Sequence, residues 1–424
     1  MLIVLVGALG CQTEPPPVVA PAADEVFRDV ATPARPGSSV PGLFRIGNRV
    51  AMSWVEEADG HAALRFAVRE GESWSAPQTV AEGDDWFVNW ADRPGVVSLG
   101  DSALAAYYLV EHGGDNPYAY DIRLVRSADA GRTWSAPITP HHDGTPTEHG
   151  FVGAVPQLDG SLLVAWLDGR GYHPVQQAHD GHDHAPTDEM SLRTATLGPD
   201  GQLTDEAQLD HRTCDCCPTA AVAVPGGALV AYRDRSADEI RDIAVVRREG
   251  DAWSAPALVH ADGWQIDGCP VNGPALDAAG ERVALAWFTA ADGAARARLA
   301  FSDDAGKSWG EPVTVSDEHP VGRVEVVALG DGGALVSWIE QIGDAAELRV
   351  RAVAEDGTLG VPITVAGIAA ERASGMPRMI RDGEWVLLAW TESGDASQIR
   401  VRAARLEDLR PTDAELDRRA GAGA

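Results

Sequence analysis

Short apolar runs recur along this chain about every fifty residues, and all but one end in a polar or charged position. They are Val50–Glu56 (VAMSWVE), Leu104–Val110 (LAAYYLV), Leu162–Arg170 (LLVAWLDGR), Leu229–Arg235 (LVAYRDR), Val283–Thr289 (VALAWFT), Leu335–Glu340 (LVSWIE) and Val386–Glu392 (VLLAWTE). Runs of this length suit buried strands and are too short to span a bilayer. Each is followed by an alternating segment, such as Leu64–Val68, Ile122–Val125 or Leu299–Ser302, with the period of two of a half-buried strand. Helical periodicity is nearly absent outside the C-terminal tail. Seven such units predict an all-β chain, a β-propeller of four-stranded blades. The blades fall at about 37–84, 85–146, 147–210, 211–264, 265–318, 319–366 and 367–408, and seven is favoured over six. The seventh unit lacks a fourth strand after Arg405. Glu25–Thr32 is expected to supply it and close the ring, which leaves no sheet edge exposed.

A turn motif punctuates the repeat. Ser127-Ala-Asp129-Ala-Gly131-Arg-Thr133-Trp134 returns as Ser302-Asp-Asp304-Ala-Gly306-Lys-Ser308-Trp309, with degenerate copies ending at Trp74 and Trp253. Asp and Ser can bond backbone N–H groups inside such a turn, Gly takes the positive φ, and Trp packs between sheets. The motif resembles the Asp-box of the sialidase superfamily, where it is structural. It also explains the tryptophans. There are thirteen, as many as Phe and Tyr together, and nine fall either at the box or in the apolar strand.

Charge and the N-terminus narrow the class. A net charge of −30 argues against nucleic acid and against electrostatic attachment to anionic lipid. Residues 1–10 (MLIVLVGALG) followed by Cys11 resemble a bacterial lipoprotein signal peptide, with Ala8-Leu9-Gly10-Cys11 as the lipobox. The expected organisation is a signal peptide at 1–10, a Pro-rich tether at 11–23, the propeller at 24–408 and a tail at 409–424. The chain is then an exported, monomeric lipoprotein of the cell envelope. Its only membrane contact would be the lipid on Cys11.

In the sialidase fold, ligands meet the face opposite the Asp-boxes, built from the starts of the innermost strands and the loops after the second strands. Carried onto this chain, the resemblance selects Trp90, Asn272, Arg323 and Arg378 at strand starts and Arg170, Arg233, Arg235 and Arg241 in the loops. These are candidates to bind a glycan or small anionic ligand, since guanidinium pairs bidentately with carboxylate. Asp168, Glu239 and Asp242 are the candidate acid–base groups, because cleavage of a glycosidic bond ordinarily needs two carboxyls. The implied activity is that of an exo-α-sialidase-like glycoside hydrolase, and no cofactor is required. Phe44-Arg45-Ile46-Gly47 resembles the family's F-R-I-P motif but departs from it at Gly47. Tyr118, Tyr120 and Tyr232 are nearest to a tyrosine nucleophile, without a motif behind them. The segments W-F-V-N-W-A-D, E-H-G-F, C-D-C-C and G-C-P-V-N-G-P resemble a group of exported bacterial sialidase-like proteins.

Apart from Cys11, four cysteines remain: Cys214, Cys216 and Cys217 opening the fourth blade and Cys269 opening the fifth. An even number in an exported chain favours disulfides. The alternative is a Cu or Zn centre made of these four thiolates with His149. A third possibility is a non-catalytic envelope scaffold. A His/Asp-rich stretch, with His173, His179, His182 and His184, reads as a solvated loop.

Overall fold

The computed structural model describes residues 23–114, 116–172 and 189–410. Cys11, the apolar run before it, the prolines after it and the His-rich stretch lie outside the described residues. The rest forms seven antiparallel sheets in chain order. The innermost strands are Ser38–Ile46, Gly95–Ser98, His149–Pro156, Ala220–Val224, Ala275–Ala279, Pro320–Ala328 and Arg378–Asp382. They ring a central channel of about 190 Å³, with Gly42, Gly95, Gly153, Ala221, Ala275, Val324 and Arg378 on its wall. The fold is thus the all-β, seven-bladed propeller that the repeat implies. In the seventh sheet the fourth strand comes from the other end of the chain, where Arg28 and Asp29 pair with Ala403 and Arg402. It is shorter than expected, since Ala23–Val26 is a helical turn.

The apolar runs are second strands buried on both faces. Trp54, Trp166, Trp287 and Trp338 are each 1% exposed or less. A buried indole N–H needs an acceptor. In the first, third and sixth blades it comes two residues on, from Glu56 (3.1 Å), Asp168 (2.8 Å) and Glu340 (2.6 Å). In both full Asp-boxes the Asp carboxylate accepts from the backbone and hydroxyl of the Thr or Ser four residues on, and the Ser Oγ accepts the Gly N–H. Antiparallel alternation then separates the two ends of each blade. First strands begin and second strands end on one face, and the boxes at the ends of third strands lie on the other.

The first of these faces is irregular. Val40, Phe151, Val271 and Arg323 have φ near +50° at or just before innermost strands. Three of them sit at register shifts, between Ser39 and Gly42, Gly150 and Gly153, and Gly322 and Glu325. Bulges with left-handed non-glycine residues re-aim side chains, and such strain collects at functional sites.

Candidate functional site

A cavity of about 260 Å³ opens on that face, lined mainly by the second to fifth blades. Its wall carries Asn89, Trp90, Asp92, Tyr118, Tyr120 and Glu148, with Asp215, Cys216, Cys269 and Arg372. In that wall the buried Tyr120 hydroxyl stands 2.8 Å from both Asp92 Oδ2 and Glu148 Oε1. Asp92 Oδ1 accepts the Phe151 N–H at 2.7 Å, which the bulge turns toward it. A phenol has one proton to donate, so both contacts hold only if one carboxyl is itself protonated. Burial pushes Asp92 up to about 7 and Glu148, which also feels the Asp92 charge, up to about 8. Glu148 is therefore the acid, donating to Tyr120 Oη while Tyr120 donates to Asp92.

This arrangement has a pH signature. Both carboxyls titrate higher in the fold than in the unfolded chain. Their contribution to stability is complete below the ordinary carboxylate range and is lost as pH rises through about 7 and then about 8. The thermal unfolding midpoint is expected to fall as pH rises from about 4 to about 8 and to level off above that, and Glu148→Gln to flatten the fall. A midpoint that does not move in the wild type would contradict the buried acid.

The structure brings few of the expected residues to the cavity. Trp90 lines it, with Arg323 above its ring at 4.8 Å. Asp168 is fully buried, and its oxygens are taken by the Trp166 indole and a two-point pair with Arg170. It serves its repeat as Glu56 and Glu340 serve theirs, which makes both Asp168 and Arg170 parts of the scaffold. Glu239 is held at about 2 by hydrogen bonds from Arg235 and Arg241 and cannot carry a proton at neutral pH. Asp242 is buried and caps the N–H groups of Gly263 and Trp264. Arg233 is 1% exposed and spends its guanidinium on three backbone carbonyls. Arg323 likewise donates to the carbonyls of Ala370, Glu371 and Gly375. Asn272 ties the fifth blade to the sixth through Arg323 N and Val321 O. Arg378 pairs with Glu325 at 2.6 Å inside the channel. Tyr120 and Glu148 do not read as a pair in the sequence because 28 residues separate them and they belong to different blades. The one signal was a polar or aromatic residue at each strand start.

The four cysteines are free thiols. The sulfurs of Cys214, Cys216 and Cys217 lie within 4.8 Å of one another, and Cys216 also hydrogen-bonds Cys269. Hydrogen bonds from Cys216 and Cys217 hold the Cys214 thiol well below its usual range, and Arg241 Nη1 stands 3.3 Å from its sulfur. This is a donor set for a soft metal. His149 does not join it: among the described residues no group of candidate ligands combines cysteine with histidine. His149 packs instead with His141 and three aspartates.

Comparison with solved structures agrees with the architecture. Polysaccharide lyase Uly1 superposes with a TM-score of 0.51 at 11% identity, covering 86% of this chain and 89% of that one. The Hadza microbial sialidase Hz136 gives 0.48 at 16% identity, over 83% and 75% of the two chains. The NanB sialidase of Streptococcus pneumoniae gives 0.48 at 9% identity, over 91% and 95%. At these identities the likeness concerns the fold alone. No curated protein sequence matches the chain. The profile of the BNR repeat-like domain matches residues 56–337, about two thirds of the sequence. With its seven blades and repeated turn boxes, the chain belongs to the BNR repeat-like family, here built as a β-propeller.

Proposed function

We propose that the protein binds a glycan in the cavity opposite the Asp-boxes and that Glu148 acts on it as a general acid. The observation that supports this is the Glu148–Tyr120–Asp92 chain on the cavity wall. A carboxyl near 8 keeps its proton at neutral pH and can still release it, as acid catalysis needs. Trp90 and the exposed Tyr118 offer aromatic surface for sugar rings, and the carboxyls and Asn89 offer partners for hydroxyls. The arginines that a sialoside clamp would use are engaged by backbone carbonyls or by Glu325. The ligand in this reading is therefore a glycan whose recognition does not depend on a sialic acid carboxylate. The protein would work outside the cytoplasm, held by a lipid on Cys11.

The test is a glycan-array and polysaccharide screen with untagged protein. Binding to at least one glycan is expected, weakened about tenfold or more in Trp90→Ala. Turnover of that glycan should fall by about 10²–10⁴ in Glu148→Gln, with binding changed little. Absence of binding across the screen would sink the reading. The thiol cluster favours a second reading, a Cu or Zn centre at Cys214, Cys216, Cys217 and Cys269, whose mark is thiolate-to-metal charge transfer.

A further inference from the structure

The central channel carries charge of its own, and none of the residues that line the cavity line it. Its charged lining residues are Arg93, Arg323, Arg378 and Glu325. This is a local excess of positive charge in a chain whose net charge is −30. Two of the arginines are engaged. Arg323 gives its guanidinium to the carbonyls of Ala370, Glu371 and Gly375. Arg378 stands 2.6 Å from Glu325. Arg93 makes no hydrogen bond or ion pair among the described residues, although the ring of strands closes around it.

A second donor reaches the channel because of a glycine. Gly95 and Tyr107 are partners across the first two strands of the second blade. A Cβ at Gly95 would stand 2.5 Å from both Cζ and Oη of Tyr107. Only glycine therefore lets the phenol lie over the innermost strand, where Tyr107 lines the channel. Its hydroxyl has no hydrogen-bond partner among the described residues. Electrostatics point the same way. Burial and the Arg378 charge push Arg93 down to about 10. The first blade lies between the second and the seventh, so these two cations meet across the lumen. Like charges repel strongly in such a low-dielectric enclosure. A negative charge between them would replace that repulsion with attraction.

We propose that the channel holds a small monovalent anion, of the halide class, bound by the Arg93 guanidinium and the Tyr107 hydroxyl. Both groups offer N–H or O–H donors, and a halide accepts several of these at once. Its single charge matches what the channel lacks. Glu325 already faces Arg378, and Arg323 is spread over three carbonyls and the Trp90 ring, which leaves Arg93 without a counter-charge. The ion would hold the second blade to the seventh across the axis of the ring. Its role is to stabilise the propeller, separate from any chemistry in the cavity.

The experiment has two arms, both on untagged, full-length protein. Crystals are soaked in sodium bromide, and in solution the unfolding midpoint is followed as bromide replaces gluconate at fixed ionic strength. An anomalous bromide peak is expected within hydrogen-bond distance of Arg93 and Tyr107 Oη. The midpoint should rise with bromide concentration as the site fills. Arg93→Gln should fold and should abolish both the peak and the rise. In gluconate alone that variant should be at least as stable as wild type, because the repulsion with Arg378 is gone. An arginine that merely supports the fold would not behave so. Tyr107→Phe should weaken bromide binding by about 10–100-fold. A wild-type channel without bromide would overturn the proposal. So would an adventitious ion on the surface only, or a midpoint that bromide raises equally in Arg93→Gln.

Discussion

Arg233→Met is expected to cost about 3–5 kcal/mol of stability, the largest single effect in the fourth blade. The guanidinium is closed off from water and lies 4.8 Å from the Trp264 ring centre. Its donors reach Arg241 O at 2.6 Å, Phe288 O at 2.7 Å and Asn272 O at 2.8 and 2.9 Å. The carbonyls belong to the loop after its own strand and to two segments of the fifth blade. Methionine fills most of the volume but donates nothing, so three buried carbonyls lose their partner, at about 1–3 kcal/mol for each left unsatisfied. Relaxation recovers part of that sum. Urea unfolding of the variant against wild type measures the loss, and a change below about 1 kcal/mol would show that the loops re-satisfy themselves. The Cys214 N–H donates to Arg233 O at 3.0 Å, so the variant should also loosen the cysteine loop.

Gly306→Ala should destabilise by about 2–4 kcal/mol, for two separable reasons. Gly306 has φ +82°, a conformation that costs an L-residue about 1–2 kcal/mol. A Cβ there would also stand 2.6 Å from Leu229 Cδ2. Leu229 is fully buried in the core that joins the fourth and fifth blades, so the methyl has nowhere to go. Gly343 separates the two terms. It lies in a hairpin turn with φ +57° and open space where a Cβ would be. Gly343→Ala should therefore show the backbone cost alone. If the two variants lose equal stability by denaturant melts, the Asp-box turn does not pack as tightly as its geometry implies.

The W-x-D/E pattern at Trp54, Trp166 and Trp338 shows where reading the chain as a line succeeded and where it fell short. The repeat itself was visible, and so were the buried second strands and the Asp-box turns. The same repetition also held the information that Asp168 satisfies an indole. Taken singly, a carboxylate at the end of a strand looks like a catalytic group. The arginines failed for a related reason. Arg233 and Arg323 are polar residues on the ligand-facing side, but whether a guanidinium faces solvent or carbonyl oxygens depends on loops far away in sequence.

By itself the sequence determined the all-β class, the seven blades and the structural boxes. These follow from local periodicity and turn chemistry, where the interacting residues are four or fewer positions apart or one strand away. Only the tertiary structure decided which side chains meet. Tyr120 finds Asp92 and Glu148, each 28 residues distant, and His112 and His149 converge on Asp121. A propeller brings together residues one blade apart at the starts of strands, and the bulges there set the direction of each side chain. That direction depends on backbone dihedrals at single residues, such as φ +54° at Phe151. The strain is sustained by the packed ring of sheets and leaves no mark in the hydrophobic pattern.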